Sequence, residues 1–122
     1  MTRNVLIVDD SAVMRKIVMR TLRQADVQVD QVFEAGDGSD ALGVISSESV
    51  DLVLSDVNMP NMDGFEFVKQ ARSQNFEAPI VMVTTEGSED RVKDALASGV
   101  QGYVVKPFTA DDLKEALTGI GL

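Results

Sequence analysis

The sequence contains no cysteine, no histidine and no tryptophan. Without cysteine there is neither a disulfide framework nor a thiolate metal site. Without histidine there is no imidazole base, no imidazole ligand and no side chain to carry a phosphohistidine, so any phosphoryl donor must be another molecule. Apolar runs stop at four or five residues, far short of the roughly 20 needed to span a bilayer. The start, Met1-Thr2-Arg3-Asn4, has no signal-like hydrophobic region. A soluble, cytoplasmic chain with no membrane contact is expected. Basic residues are also scarce, 11 against 20 acidic ones for a formal charge of -9, a poor match to a phosphate backbone, so nucleic acid is not expected as a direct ligand.

What remains fits one domain over 1–122, long enough to bury a core without staples. The central stretch is Asp51-Leu52-Val53-Leu54-Ser55-Asp56, an apolar run that ends in a carboxylate and breaks into Val57-Asn58-Met59-Pro60-Asn61-Met62-Asp63-Gly64. The pattern predicts a buried strand that displays Asp56 at its end. Taken alone, Asp56 reads equally well as a strand-end aspartate capping the next turn.

The flanking sequence alternates. Val5–Val8 is a strand ending in Asp9-Asp10, and Ser11 caps a helix from Ala12 to about Ala25 with apolar Met14, Ile17, Val18 and Leu22 at steps of three and four. In that helix Arg15, Lys16, Arg20 and Arg23 fill the other faces. Val29–Ala35 is a weaker strand, and a helix starts at Asp37-Gly38-Ser39-Asp40 and runs to about Ser47. After the central strand, Asp63-Gly64-Phe65-Glu66 opens a third helix to about Asn75. Ile80–Val83 then leads into Thr84-Thr85-Glu86-Gly87, with Ser88 capping a fourth helix through Val92, Ala95 and Leu96 to Gly99. Gly102–Val105 ends in Lys106-Pro107, and Thr109 with Asp112 forms a capping-box pair opening a last helix through Leu113, Ala116 and Leu117.

Five strands apolar on both faces, alternating with five helices, predict an α/β domain with helices on both faces of a parallel sheet. The common doubly wound solution is the flavodoxin-like order 2-1-3-4-5, which places strands 1 and 3 at the switch point where ligands bind. Strands roughly 4.8 Å apart then bring Asp9, Asp10, Asp56, Thr84 and Lys106 to one crevice. Two carboxylates about 5 Å apart repel by roughly 3 kcal/mol at an effective dielectric of about 20, so the crevice calls for a divalent cation. Hard oxygen ligands with open water positions favour Mg²⁺, then Mn²⁺, then Ca²⁺. An aspartate there can attack phosphorus to give an acyl phosphate, with Lys106 and the Thr84 hydroxyl on phosphoryl oxygens. Each has a plainer reading: Lys106 as a solvated strand-end lysine, Thr84 as a helix cap, and Tyr103 as a half-buried strand aromatic.

Together, Asp9-Asp10, the Asp56–Gly64 segment, Thr84 and Tyr103-Val104-Val105-Lys106-Pro107-Phe108 resemble the receiver domain of two-component response regulators, most nearly its stand-alone chemotaxis branch. The resemblance covers essentially the whole chain and implies a signalling switch rather than a turnover enzyme, phosphorylated at Asp56 by a histidine kinase or phosphotransfer protein. It further implies direct Mg²⁺ ligation by Asp10, ligation by Asp9 largely through water, and a backbone carbonyl ligand from Asn58. Lys106 would bind the phosphoryl group next to a cis peptide at Pro107, and Thr84 with Tyr103 would form the switch pair. The output partner would dock on the face of the fourth helix, fifth strand and fifth helix. Asn58 and Glu86 would tune the lifetime of the acyl phosphate, and Thr85 stands where the family prefers a smaller residue.

Departures bear on the partner. Val57 replaces the chemotaxis branch's tryptophan, the fourth helix opens with acidic Ser88-Glu89-Asp90, and Ala116 and Gly119 stand in place of lysines. An acidic motor peptide finds less to hold, which leaves a phosphate shuttle or sink as the alternative role. A flavodoxin-like electron carrier conflicts with Asp9-Asp10, which would repel an FMN phosphate. An aspartyl-phosphate phosphatase would place its nucleophile in an Asp-x-Asp after strand 1 and needs a cap domain, and neither feature is present.

Overall fold

In the computed structural model the described residues are 3–85, 93–94 and 97–121. Chain order is β1 (Arg3–Val8), α1 (Ala12–Gln24), β2 (Val29–Ala35), α2 (Gly38–Ser47), β3 (Leu52–Asp56), α3 (Gly64–Ser73), β4 (Ile80–Thr84), β5 (Gly102–Val105) and α4 (Ala110–Gly119). All four strand pairings are parallel and the sheet order is β2-β1-β3-β4-β5, as expected from the alternation. Between β4 and β5, Lys93, Asp94 and Ala97 are helical and Gly99 adopts φ 107°, fitting a helix that stops there. The rest of that expected helix, including Ser88, Val92, Ala95 and Leu96, lies outside the described residues.

The continuous apolar strands are explained by two cores. Leu6 and Val8 of β1 face one side with Val53 and Met82, where α2 contributes Ala41 and α3 contributes Phe67, Val68 and Ala71. Val5 and Ile7 face the other with Leu52, Leu54 and Val81, covered by Val18 and Leu22 of α1 and Leu113 and Leu117 of α4. A strand buried on both sides cannot alternate apolar and polar residues, and each central strand has none to spare for solvent.

Local sequence fixes the helix starts. Ser11, Asp37 and Asp63 accept the backbone N–H groups of Met14, Asp40 and Glu66, at 3.2, 2.8 and 2.9 Å. Thr109 and Asp112 close the expected capping box. Caps of this kind are each worth about 1 kcal/mol. They matter here because Ser11, Asp37 and Thr109 come two to four residues after the ends of β1, β2 and β5, so those helices begin close behind the strand ends.

Candidate functional site

Strand register decides which side chains meet. Val8 pairs with Ser55, so Asp9 stands level with Asp56, one residue beyond. Asp56 pairs with Val83, and Thr84 with Val105, so Thr84 and Lys106 each follow by one step on the next strand. Ligand oxygens of Asp9, Asp10 and Asp56 all lie within 4.8 Å of one another, the crowding that strand spacing implies.

The three carboxylates are not equivalent. Asp9 is buried; its Oδ1 accepts the Ser11 N–H at 2.9 Å and its Oδ2 accepts from Lys106 Nζ at 3.1 Å. Asp56 is more covered than a displayed strand-end residue, its side chain 14% exposed, because loop and neighbouring strands close over it. Its Oδ1 accepts the Val57 N–H at 2.8 Å, which fixes the carboxylate's rotation, and its Oδ2 lies 3.4 Å from Lys106 Nζ. Asp10 is exposed. Lys106 in turn is tied to β4 through its N–H, which donates to the Thr84 carbonyl at 2.7 Å. The Lys106–Pro107 peptide is cis.

Two features supporting the site were not evident from spacing. Arg15, expected only to fill an outer face of α1, donates from Nη1 to the Asp9 carbonyl at 2.6 Å while its Nε pairs with Glu34 at 2.9 Å. Gly64 packs against the Asp56 carbonyl so closely that a Cβ there would collide with that oxygen, and its N–H donates to the Val57 carbonyl at 2.8 Å. A helix-start glycine was readable in the sequence as loop geometry; its contact with the backbone of Asp56 was not.

The donor set fits a hard divalent cation. Among the described residues one ammonium, Lys106, pairs with Asp9 and Asp56, Arg15 is engaged with Glu34, and the three carboxylates outnumber that cation by two. Hard oxygens with exposed Asp10 at the rim leave room for retained waters, as Mg²⁺ demands. Thr84 is buried at the end of β4. Tyr103, paired with Met82 one step before the Thr84–Val105 pair, lies half-buried on the same side of the sheet. Asn58 and Thr85 are exposed, and Glu86 lies outside the described residues.

A family model for the response regulator receiver domain matches residues 5–118. The chain belongs to the response-regulator receiver family. Receiver domains are signalling switches that bind Mg²⁺ at an acidic pocket, and this receiver domain carries such an acidic cluster at the expected strand ends. It is 43% identical over 118 residues to a chemotaxis protein CheY homolog of Campylobacter jejuni, covering 94% of this chain and 89% of the relative. The chemotaxis protein CheY of Pseudomonas aeruginosa is 41% identical, covering 95% and 94%. Among solved structures, the chemotaxis response regulator CheY4 of Vibrio cholerae superposes with TM-score 0.84 at 40% identity, covering 98% and 99% of the two chains. No described helix is long and apolar enough to cross a membrane.

Burial pushes the Asp56 carboxyl above the ordinary carboxylate range; Lys106 beside it and the Val57 N–H pull it back, and Asp9 adds to the rise. A folded-state pKa raised above the unfolded one means that protonated Asp56 favours the native state at low pH, a contribution lost as pH rises through the folded pKa. In metal-free buffer Asp56→Asn should therefore be more stable than the parent at about pH 7, with the gain shrinking toward about pH 4 as the parent's Asp56 takes up its proton. Urea-unfolding midpoints at the two pH values check this. A variant less stable than the parent near neutrality would mean that the Lys106 pair outweighs burial.

Proposed function

We propose that this receiver domain is a CheY-like phosphorylation switch in which Asp56 accepts the phosphoryl group, Asp9, Asp10, Asp56 and the Asn58 carbonyl hold Mg²⁺, and Lys106 binds the phosphoryl oxygens. The observation that carries it is the convergence of Asp9, Asp10, Asp56 and Lys106 within hydrogen-bonding or ligand distance from three different strand ends. When bound, the ion supplies charge neutralisation that lets an anionic phosphoryl group approach an anionic nucleophile. An Asp56 carboxylate oxygen forms the bond to phosphorus as the donor's bond to phosphorus breaks, and the departing imidazole or acetate leaves with its electron pair. The Val57 N–H holds the carboxylate in place, and Lys106, already 3.4 Å from Asp56, follows the charge onto the phosphoryl group. Hydrolysis by water returns Asp56 to its resting state. The chain's only chemistry is its own phosphorylation and dephosphorylation.

Thr84 and Tyr103 form the switch. The Thr84 hydroxyl turns toward the phosphoryl group, and the Tyr103 ring, on the same side of the sheet, takes up the vacated space. The energy comes from differential contacts in two existing arrangements. The altered face is β5 with α4 and the helix before β5. On α4, Asp111, Asp112 and Glu115 are exposed beside a single exposed lysine, Lys114, so the output partner presents a neutral or basic surface rather than an acidic peptide. Because the chain has no histidine, a histidine kinase or phosphotransfer protein supplies the phosphoryl group, in the cytoplasm, for chemotaxis or motility signalling. With the acidic α4 face, a phosphate sink in the same relay is the second reading.

Acetyl phosphate with Mg²⁺ should add one phosphoryl group to the parent and none to Asp56→Asn, read by intact mass. Addition that persists in Asp56→Asn would remove Asp56 from its role. By family position Asn58 and Glu86, the latter outside the described residues, tune hydrolysis of the acyl phosphate, and exposed Thr85 adds a methyl and a hydroxyl beside the path of the attacking water. A misplacement on the order of 1 Å can cost about a hundredfold in rate, so Thr85→Ala should speed both phosphorylation from acetyl phosphate and decay after donor removal, by a factor of a few, at unchanged Mg²⁺ affinity. Decay at the parental rate or slower would show that the Thr85 side chain does not gate water.

A further inference from the structure

The loop between β3 and α3 is held at two places. At its base the Val57 carbonyl accepts from Gly64, and the Val57 N–H is engaged by Asp56. At its tip the loop is fastened to the start of α2. Asp37, 9% exposed, accepts the Asp40 N–H on Oδ1 at 2.8 Å and the Asn61 side-chain amide on Oδ2 at 2.7 Å. One carboxylate thus caps a helix and grips a loop at once. Those two bonds, the helix cap first, hold its carboxyl below the ordinary range. Beside it the Gly38 N–H donates to the Met62 carbonyl at 3.0 Å, and a Cβ on Gly38 would sit 2.9 Å from that carbonyl oxygen, so no larger residue permits this approach. Asn61 itself adopts φ 65°, a left-handed conformation that asparagine tolerates better than most residues.

Between the two anchors lie only Asn58, Met59 and Pro60. Pro60 has a fixed φ, and the residue before a proline is confined to extended backbone. The segment is therefore short and restricted, with Pro60 φ and the Met59 backbone limited. With both ends held, the Asn58 carbonyl has little room to turn; loosening the tip at Asn61 widens that room, even with the Gly38–Met62 bond in place.

We infer that Asp37 and Asn61 are a positioning pair, which aims the Asn58 carbonyl at the Asp9–Asp10–Asp56 crevice by fastening the β3–α3 loop to α2. This rests on the reading of that crevice as the Mg²⁺ site. Neither residue touches the ion or the phosphoryl group, and each acts through the backbone between them and Asn58.

The pair can be broken without losing the helix cap and then rebuilt with its groups exchanged. Asp37→Ser keeps a good N-cap but is too short to reach Asn61. Asn61→Asp sets two carboxylates against each other. Asp37→Asn combined with Asn61→Asp restores a cap acceptor at 37 and an amide-to-carboxylate bond with donor and acceptor interchanged. Partners that orient metal ligands directly are worth about 10–100-fold in affinity; acting one step further away, this pair should be worth roughly threefold to tenfold. Mg²⁺ titration by calorimetry at physiological salt should show both single variants weakened by that amount and the double variant within about twofold of the parent. The two single variants change net charge in opposite directions, so a purely electrostatic effect would weaken Asp37→Ser and strengthen Asn61→Asp. Opposite shifts, parental affinity in both single variants, or failure of the double variant to recover would each overturn the pair while leaving the Mg²⁺ site intact. A parent that binds no Mg²⁺ would overturn the site and the pair together.

Discussion

Three carboxylates forced into one crevice are the constraint on which the rest of this structure depends. Asp9, Asp10 and Asp56 crowd to within 4.8 Å, and among the described residues Lys106 is the counter-charge, paired with Asp9 and Asp56. At that spacing each pair costs roughly 3 kcal/mol at an effective dielectric of about 20, and burial of Asp9 and Asp56 adds to it. A structure that tolerates such repulsion must recover it elsewhere. The recovery lies in two cores that leave no described central strand with a solvent face, and in caps that anchor the helices behind the crevice.

The same constraint makes the site usable. Native-state repulsion that an incoming cation relieves is a source of affinity, and an anionic nucleophile kept close to an ammonium is ready to share that ammonium with a phosphoryl group. Lys106 spans Asp9 and Asp56, so its charge lies where phosphoryl oxygens would arrive. Arg15 holds the backbone of Asp9, and Gly64 holds that of Val57 while packing against the Asp56 carbonyl. Precision at the carboxylates is thus built from backbone contacts as much as from the side chains that do the chemistry.

Most of this was legible in the sequence for a physical reason. Apolar runs ending in Asp9, Asp56, Thr84 and Lys106 identify strand ends locally, and parallel topology then requires those ends to converge. Ser11 and the Thr109–Asp112 box were readable because capping acts over three residues. Arg15, Gly64 and the Asp37–Asn61 bond were not readable in these roles, because each joins segments through a geometry that no local pattern encodes. The degree to which Asp56 is covered was missed for the same reason: the strand pattern places its Cα, while the neighbouring strands and loop decide its exposure.

Magnesium dependence of folding stability tests the carboxylate constraint most directly. An ion that binds only the native state at about ten times its dissociation constant stabilises the fold by about 1.4 kcal/mol. Urea unfolding of the parent should show a gain of that size on adding Mg²⁺, and Asp10→Ala should lose the gain while matching or exceeding the parent's stability in metal-free buffer. A parent whose stability ignores Mg²⁺, or an Asp10→Ala variant that keeps the full gain, would contradict the account.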